Sequence, residues 1–156
     1  MTGRQMVVIG VGNPYRRDDG FGPVVVSLLA DRHLPDLKLA TSDGEPTRLI
    51  ELWTGATLAV VVDAVRTDPA RPGRVHRLSA YHPAVRGAVP ASSHGTGLGE
   101  AVDLALVLDR LPDRLLLYAV ETDQVGFGAG LSAPVAEAAV RVAAEIAELV
   151  RVREVA

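Results

Sequence analysis

The chain has 156 residues, 48% of them apolar but only one Trp, three Tyr and two Phe, with a formal charge of −3 and no cysteine. That length fits a single domain spanning 1–156, able to bury about two-thirds of the surface its unfolded chain exposes. The missing cysteines exclude a disulfide framework, a thiolate nucleophile and a zinc knuckle, so any metal must be held by oxygen and nitrogen; the mild, scattered charge offers no basic stripe to nucleic acid or to an anionic membrane.

The opening MTGRQMVVIGVGN carries an apolar run too short for a signal peptide. No stretch approaches the ~20 apolar residues of a membrane span, so a cytoplasmic location without membrane contact is expected. Residues 5–10 predict a buried strand, 20–33 a helix, 36–41 a second strand, and 46–53 a helix whose first turn tolerates Pro46. Residues 56–64, ATLAVVVDA, are β-branched and apolar on both faces, which predicts a central strand closed by Asp63. The alternating segment 73–80 follows too short a loop for a crossover, so it predicts an antiparallel strand near an edge. A long loop, 81–97, leads to a helix over 98–111, a fifth strand over 113–120 and an amphipathic helix over 133–152 with Val135, Ala139, Val142, Ile146 and Leu149 on its core face. The expected fold class is α/β: a three-layer α/β/α sandwich on a mostly parallel five-stranded sheet with one antiparallel strand.

In such sheets ligands bind beyond the carboxyl ends of the strands, and the loops there carry Asn13, Asp18, Asp19, Asp43 and Asp63. VVIGVGNPYRRDDGFGP begins like a dinucleotide-binding turn, but Tyr15 stands near the third glycine position and two acids stand where a phosphate would sit. A nucleotide-binding module is therefore disfavoured. Asp18 and Asp19 precede a helix, so either is a natural N-cap, and one can cap while the other faces the crevice. Asp63 at the end of an apolar strand is either a capping or solvated carboxylate or a functional one, since burial there costs free energy unless the group is paired. His94, in PASSHGTGLGE, sits in a loop of small residues before a helix, where an imidazole joining two or three aspartates makes an oxygen-and-nitrogen metal site. His33, His76 and His82 fit solvated or structural roles. No G-x-S-x-G elbow, H-E-x-x-H or P-loop occurs, and a proton-sharing aspartate dyad is open.

GVGNPYRRDDGFGP, DGEPTRLIELWTGATLAVVVDAV, SSHGTGLGEAVDLA and VETDQVGFGAGLSAPV, in this order and across most of the chain, resemble the nickel-iron hydrogenase maturation endopeptidases. The resemblance implies a metal site on Asp19, Asp63 and His94, with Asp19 and Asp63 as the catalytic carboxylates and Asn13, Asp43 and Gly44 in substrate binding. It also implies an endopeptidase that removes the C-terminal extension of the hydrogenase large subunit once nickel is inserted. The partner would be the nickel-loaded precursor and the nickel would arrive on its thiolates, with no organic cofactor. Cleavage would proceed through metal-polarised carbonyl and activated water or through carboxylate general-base chemistry. A non-catalytic nickel-sensing maturation chaperone using the same site is the alternative. Pro14 and Tyr15 replace a small apolar pair, and DGEPT replaces a more glycine-rich form; both departures bear on partner specificity.

Overall fold

Met6–Val11 (β1) is buried along its whole length and pairs in parallel with Leu37–Ser42 (β2) on one side and Leu58–Arg66 (β3) on the other. β3 pairs in parallel with Arg114–Thr122 (β5), and Val75–Ser79 (β4) closes the sheet antiparallel to β5, giving the order β2-β1-β3-β5-β4. This computed structural model describes residues 5–79 and 97–155. The helices of the described residues are Phe21–Ala30 (α1), Pro46–Trp53 (α2), Leu98–Leu108 (α3) and Ala133–Val155 (α4), with a 3₁₀ turn over Arg17–Gly20. The mixed sheet, the central place of β3 and the antiparallel edge strand agree with the sequence expectation.

Alternation along the strands sends side chains to two cores. Met6, Val8, Val60 and Val62 pack with α1 and α4, through Phe21, Val25, Val142 and Ile146. Val7, Ile9, Ala59 and Val61 pack with α2 and α3, through Leu49, Trp53, Leu98 and Val102. Helices on both faces explain why β1, and β3 up to Val62, are apolar on both faces.

Two boundaries differ from expectation in ways that matter. β3 does not close on Asp63: it runs to Arg66, because β5 continues beside it to the pair Arg66–Thr122. α1 ends at Ala30, since His33 takes a left-handed φ of 52° that no continuing helix allows. The start of α1 lies hard against the sheet. A methyl group at Gly22 would sit 2.5 Å from the Val11 nitrogen and 2.5 Å from the Val62 carbonyl oxygen, so only glycine lets the helix begin there.

Candidate functional site

The chain runs from β1 through α1 to β2 on one side, then crosses to β3 on the other, so β1 and β3 flank the topological switch point. Their pairing ends at Gly10–Val62. Asp63 is the next residue of β3, placed where β1 has turned away. By alternation it shares the sheet face of Ala59 and Val61. It is 3% exposed. Its Oδ1 accepts the Ala64 N–H at 2.8 Å, and its other oxygen has no hydrogen-bond partner among the described residues. Burial pushes the Asp63 carboxyl well above the usual carboxylate range; the Ala64 N–H opposes this and the nearby negative charge of Asp19 adds to it.

Asp19 is held by the turn that follows β1. Its Oδ2 accepts the Asn13 N–H at 2.9 Å, while Asn13 Oδ1 accepts the Tyr15 N–H at 2.9 Å, so an Asx turn fixes both the loop and the carboxylate. Gly12, at φ 137°, lets this loop fold back so closely that a methyl group there would collide with the Asp19 carbonyl. Neither aspartate caps α1, whose N-cap is Gly20 without a side-chain bond. Asp18 instead points inward, fully buried. It accepts from Thr122 Oγ1 at 2.6 Å, the Ser132 N–H at 2.7 Å and Ser132 Oγ at 2.8 Å, tying the turn to the end of β5 and the start of α4. The acidic pair thus splits into one anchor and one carboxylate at the crevice.

Of the other expected site residues, Asn13 shapes the loop, and its side-chain oxygen is spent on the Asx turn. Asp43 is exposed and accepts the Glu45 N–H at 3.0 Å, while Gly44 is buried at φ 95°. Glu45 caps α2 by accepting the Thr47 and Arg48 N–H groups at 3.1 and 3.0 Å, ahead of Pro46 at the first helical position. DGEPT is therefore a turn and cap in sequence. Asp43 also lines a cavity of about 480 Å³ with Gly12, Pro14 and Arg48. His94 and His82 lie outside the described residues. Gly97, three residues after His94, packs against Gly44, whose carbonyl oxygen would lie 2.2 Å from a methyl group at Gly97. His76 pairs with Glu121, Nε2 to Oε2 at 2.7 Å, a structural contact as its strand setting suggested.

The described residues thus bring together two of the three expected ligands, Asp19 and Asp63, and among them no group of three potential metal-holding side chains occurs. Asp63's orphan oxygen and Asp19's carboxylate make an oxygen donor set suited to a divalent cation, whose charge would offset both the burial and the mutual repulsion. No helix of the described residues is long and apolar enough to cross a membrane.

A doubly covered α/β sheet with one carboxylate acting on another at its switch point places the chain among small α/β proteins with an acidic crevice. The family model "Hydrogenase maturation protease" matches residues 24–149, a span that includes Asp63 and His94 and begins after Asp19. The chain is 33% identical over 152 residues to the hydrogenase expression/formation protein HoxM of Azotobacter vinelandii, covering 93% of this chain and 73% of that protein. It is 32% identical to HupM of Azotobacter chroococcum, covering 86% and 67%. Among solved structures, the hydrogenase maturating endopeptidase HybD from E. coli superposes with a TM-score of 0.82 at 21% identity, covering 96% of this chain and 93% of that one. The [NiFe] hydrogenase maturation protease HybD from Thermococcus kodakarensis gives 0.73 at 25% identity, covering 94% and 98%. The chain belongs to the hydrogenase maturation protease family, a family of peptidases.

Proposed function

We propose that this chain is the cytoplasmic endopeptidase that trims the C-terminal extension from a nickel-iron hydrogenase large-subunit precursor once nickel has been inserted. Membership of the hydrogenase maturation protease family supports a proteolytic role in hydrogenase maturation. The observation that carries the finer reading is Asp63: a carboxylate sunk into the sheet, with one oxygen unpartnered among the described residues and Asp19 close enough to raise its proton affinity. A fold gains no stability from such a group, and a cation delivered by the substrate supplies the missing partner.

Nickel here is part of the substrate. Asp19 and Asp63, with His94, which precedes α3 in the sequence, are the groups proposed to meet it. Three ligands of mixed oxygen and nitrogen type complete the coordination of a metal already held by thiolates without extracting it, which makes cleavage conditional on loading. Asp43 and Gly44, beside the cavity at the other flank of the 12–19 loop, are proposed to hold the peptide, and Asn13 to hold Asp19 in register. The coupling between Asp19 and Asp63 also favours a second reading, in which the pair shares a proton and works as a general acid and base on the scissile bond without metal.

The test is cleavage of purified precursor, read as a mass change. Nickel-loaded precursor should be cut and nickel-free precursor should not, and adding nickel to the protease alone should not restore cutting. Efficient cleavage of verified nickel-free precursor transfers the chemistry to the carboxylate pair. Binding of loaded precursor without any cleavage leaves a chaperone.

A further inference from the structure

On the opposite flank of the loop that carries Asp19 lies a cavity of about 560 Å³, lined by Arg16, Arg17, Arg66, Asp123, Gln124 and Phe127 among others. Three guanidinium groups against one carboxylate make it locally cationic in a chain whose formal charge is −3. Neither Arg17 nor Arg66 has an ion-pair partner among the described residues.

The cavity is built rather than incidental. The Arg17 N–H donates to the Gly128 carbonyl at 2.8 Å, the Asp18 N–H to Gln124 at 3.0 Å and the Gly128 N–H to Tyr15 at 3.0 Å, so the 124–128 loop is stitched to the RRDD turn. Arg17 lies along Gly128, where a methyl group would come within 2.7 Å of its Nε. At the tip, between Gly126 and Gly128, Phe127 is 93% exposed. A phenyl ring held in water beside the Arg17 and Arg66 guanidinium groups would gain free energy on being covered by an apolar side chain.

We propose that this cavity docks an acidic segment of the polypeptide being processed, its carboxylates on Arg17 and Arg66 and an adjacent apolar side chain on Phe127. The proposal rests on the protease reading above and deepens it, since Arg17 stands two residues before Asp19 in the same turn. Guanidinium forks match carboxylates, and Asp123 in the wall together with the chain's net charge of −3 argues against a polyanion such as nucleic acid.

The test titrates the full-length protein by fluorescence anisotropy with labelled, end-blocked pentapeptides Asp-Glu-Leu-Glu-Asp and Asn-Gln-Leu-Gln-Asn. The acidic peptide should bind tighter, and its advantage should shrink as salt rises. Arg66→Gln and Phe127→Ser are both at exposed positions: Arg66→Gln should weaken the acidic peptide about threefold to tenfold and leave the amide peptide unchanged, whereas Phe127→Ser should weaken both peptides by a similar factor, since both carry the leucine. With nickel-loaded precursor, Arg66→Gln should raise KM and keep kcat, whereas Asp63→Asn removes kcat. Equal binding of the two peptides, or competition by inorganic phosphate or a single-stranded oligonucleotide as strong as by the acidic peptide, overturns the proposal. If Arg66→Gln cuts precursor with unchanged KM, the pocket falls and the protease reading stands. If the wild type cuts no precursor yet binds the acidic peptide through Arg66, the protease reading falls and the pocket stands.

Discussion

Asp63 and Glu121 are buried carboxylates on adjacent strands of one sheet, and the protein treats them in opposite ways. Glu121, 6% exposed on β5, accepts from Thr67 Oγ1 at 3.1 Å and the Arg71 N–H at 3.2 Å, meets His76 at 2.7 Å and has Arg74 at 3.7 Å. Burial alone would push its carboxyl up, but the His76 bond, the Arg71 N–H and the Thr67 hydroxyl outweigh it and hold the group below the usual carboxylate range. Asp63 has one backbone bond, a like charge nearby and a proton affinity pushed well up. A fold able to satisfy a carboxylate on β5 leaves the one on β3 wanting, and the proposed function assigns that deficit to the substrate.

The contrast can be broken from the satisfied side first. Asp18 is its extreme, with three donors and no exposure. Asp18→Ala strands those donors in the core and should cost about 3–5 kcal/mol, or abolish folding, as read by denaturant titration. A loss under about 1 kcal/mol would mean that the anchor is dispensable. Glu121→Gln keeps the shape but removes the charge, so it should cost about 1–3 kcal/mol and leave precursor cleavage per folded molecule intact. Lost cleavage in a folded Glu121→Gln protein would place Glu121 in the site.

Smaller effects should appear in the pH dependence of stability. Between the ordinary unfolded value near pH 4 and the raised folded value of Asp63, the native state holds a proton that the unfolded chain has released, so stability falls as pH rises through that window. Glu121 acts with the opposite sign: its contribution is present above its unfolded value, near pH 4.3, and is lost as pH falls towards its lowered folded value. Thermal scans across pH should therefore show the decline towards neutral pH vanish in Asp63→Asn and the acid limb flatten in Glu121→Gln. Precursor cleavage should rise with pH through the Asp63 titration, because the proton and the metal compete for one carboxylate.

Much of the fold was legible because β1, and β3 up to Val62, are unbroken apolar runs and α4 carries a helical apolar period; helix α2 was found at its observed bounds, marked by Pro46 at its start. The extension of β3 past Asp63 was not legible, because it depends on β5 running alongside. That Asp19 and Asp63 lie near each other could be read from the rim argument and the family resemblance, but the inward turn of Asp18 could not. Its partners Thr122 and Ser132 lie more than a hundred residues away and reach it only through the fold. The cavity of Arg16, Arg17 and Arg66 escaped for the same reason: the scattered charge that hid a basic stripe in the sequence is gathered by topology. Glu45 as a helix cap was missed because glutamate is a less usual residue there than aspartate or serine.

The most direct measurement is made on one preparation of Asp63→Asn at neutral pH: its thermal midpoint and its rate on nickel-loaded precursor. Removing an ill-satisfied buried charge without changing its shape should raise the midpoint, each kcal/mol gained appearing as about 2–4 °C at this chain length, while cleavage is abolished. A midpoint that falls while precursor is cut at the wild-type rate would show that Asp63 is a structural carboxylate and that the site lies elsewhere.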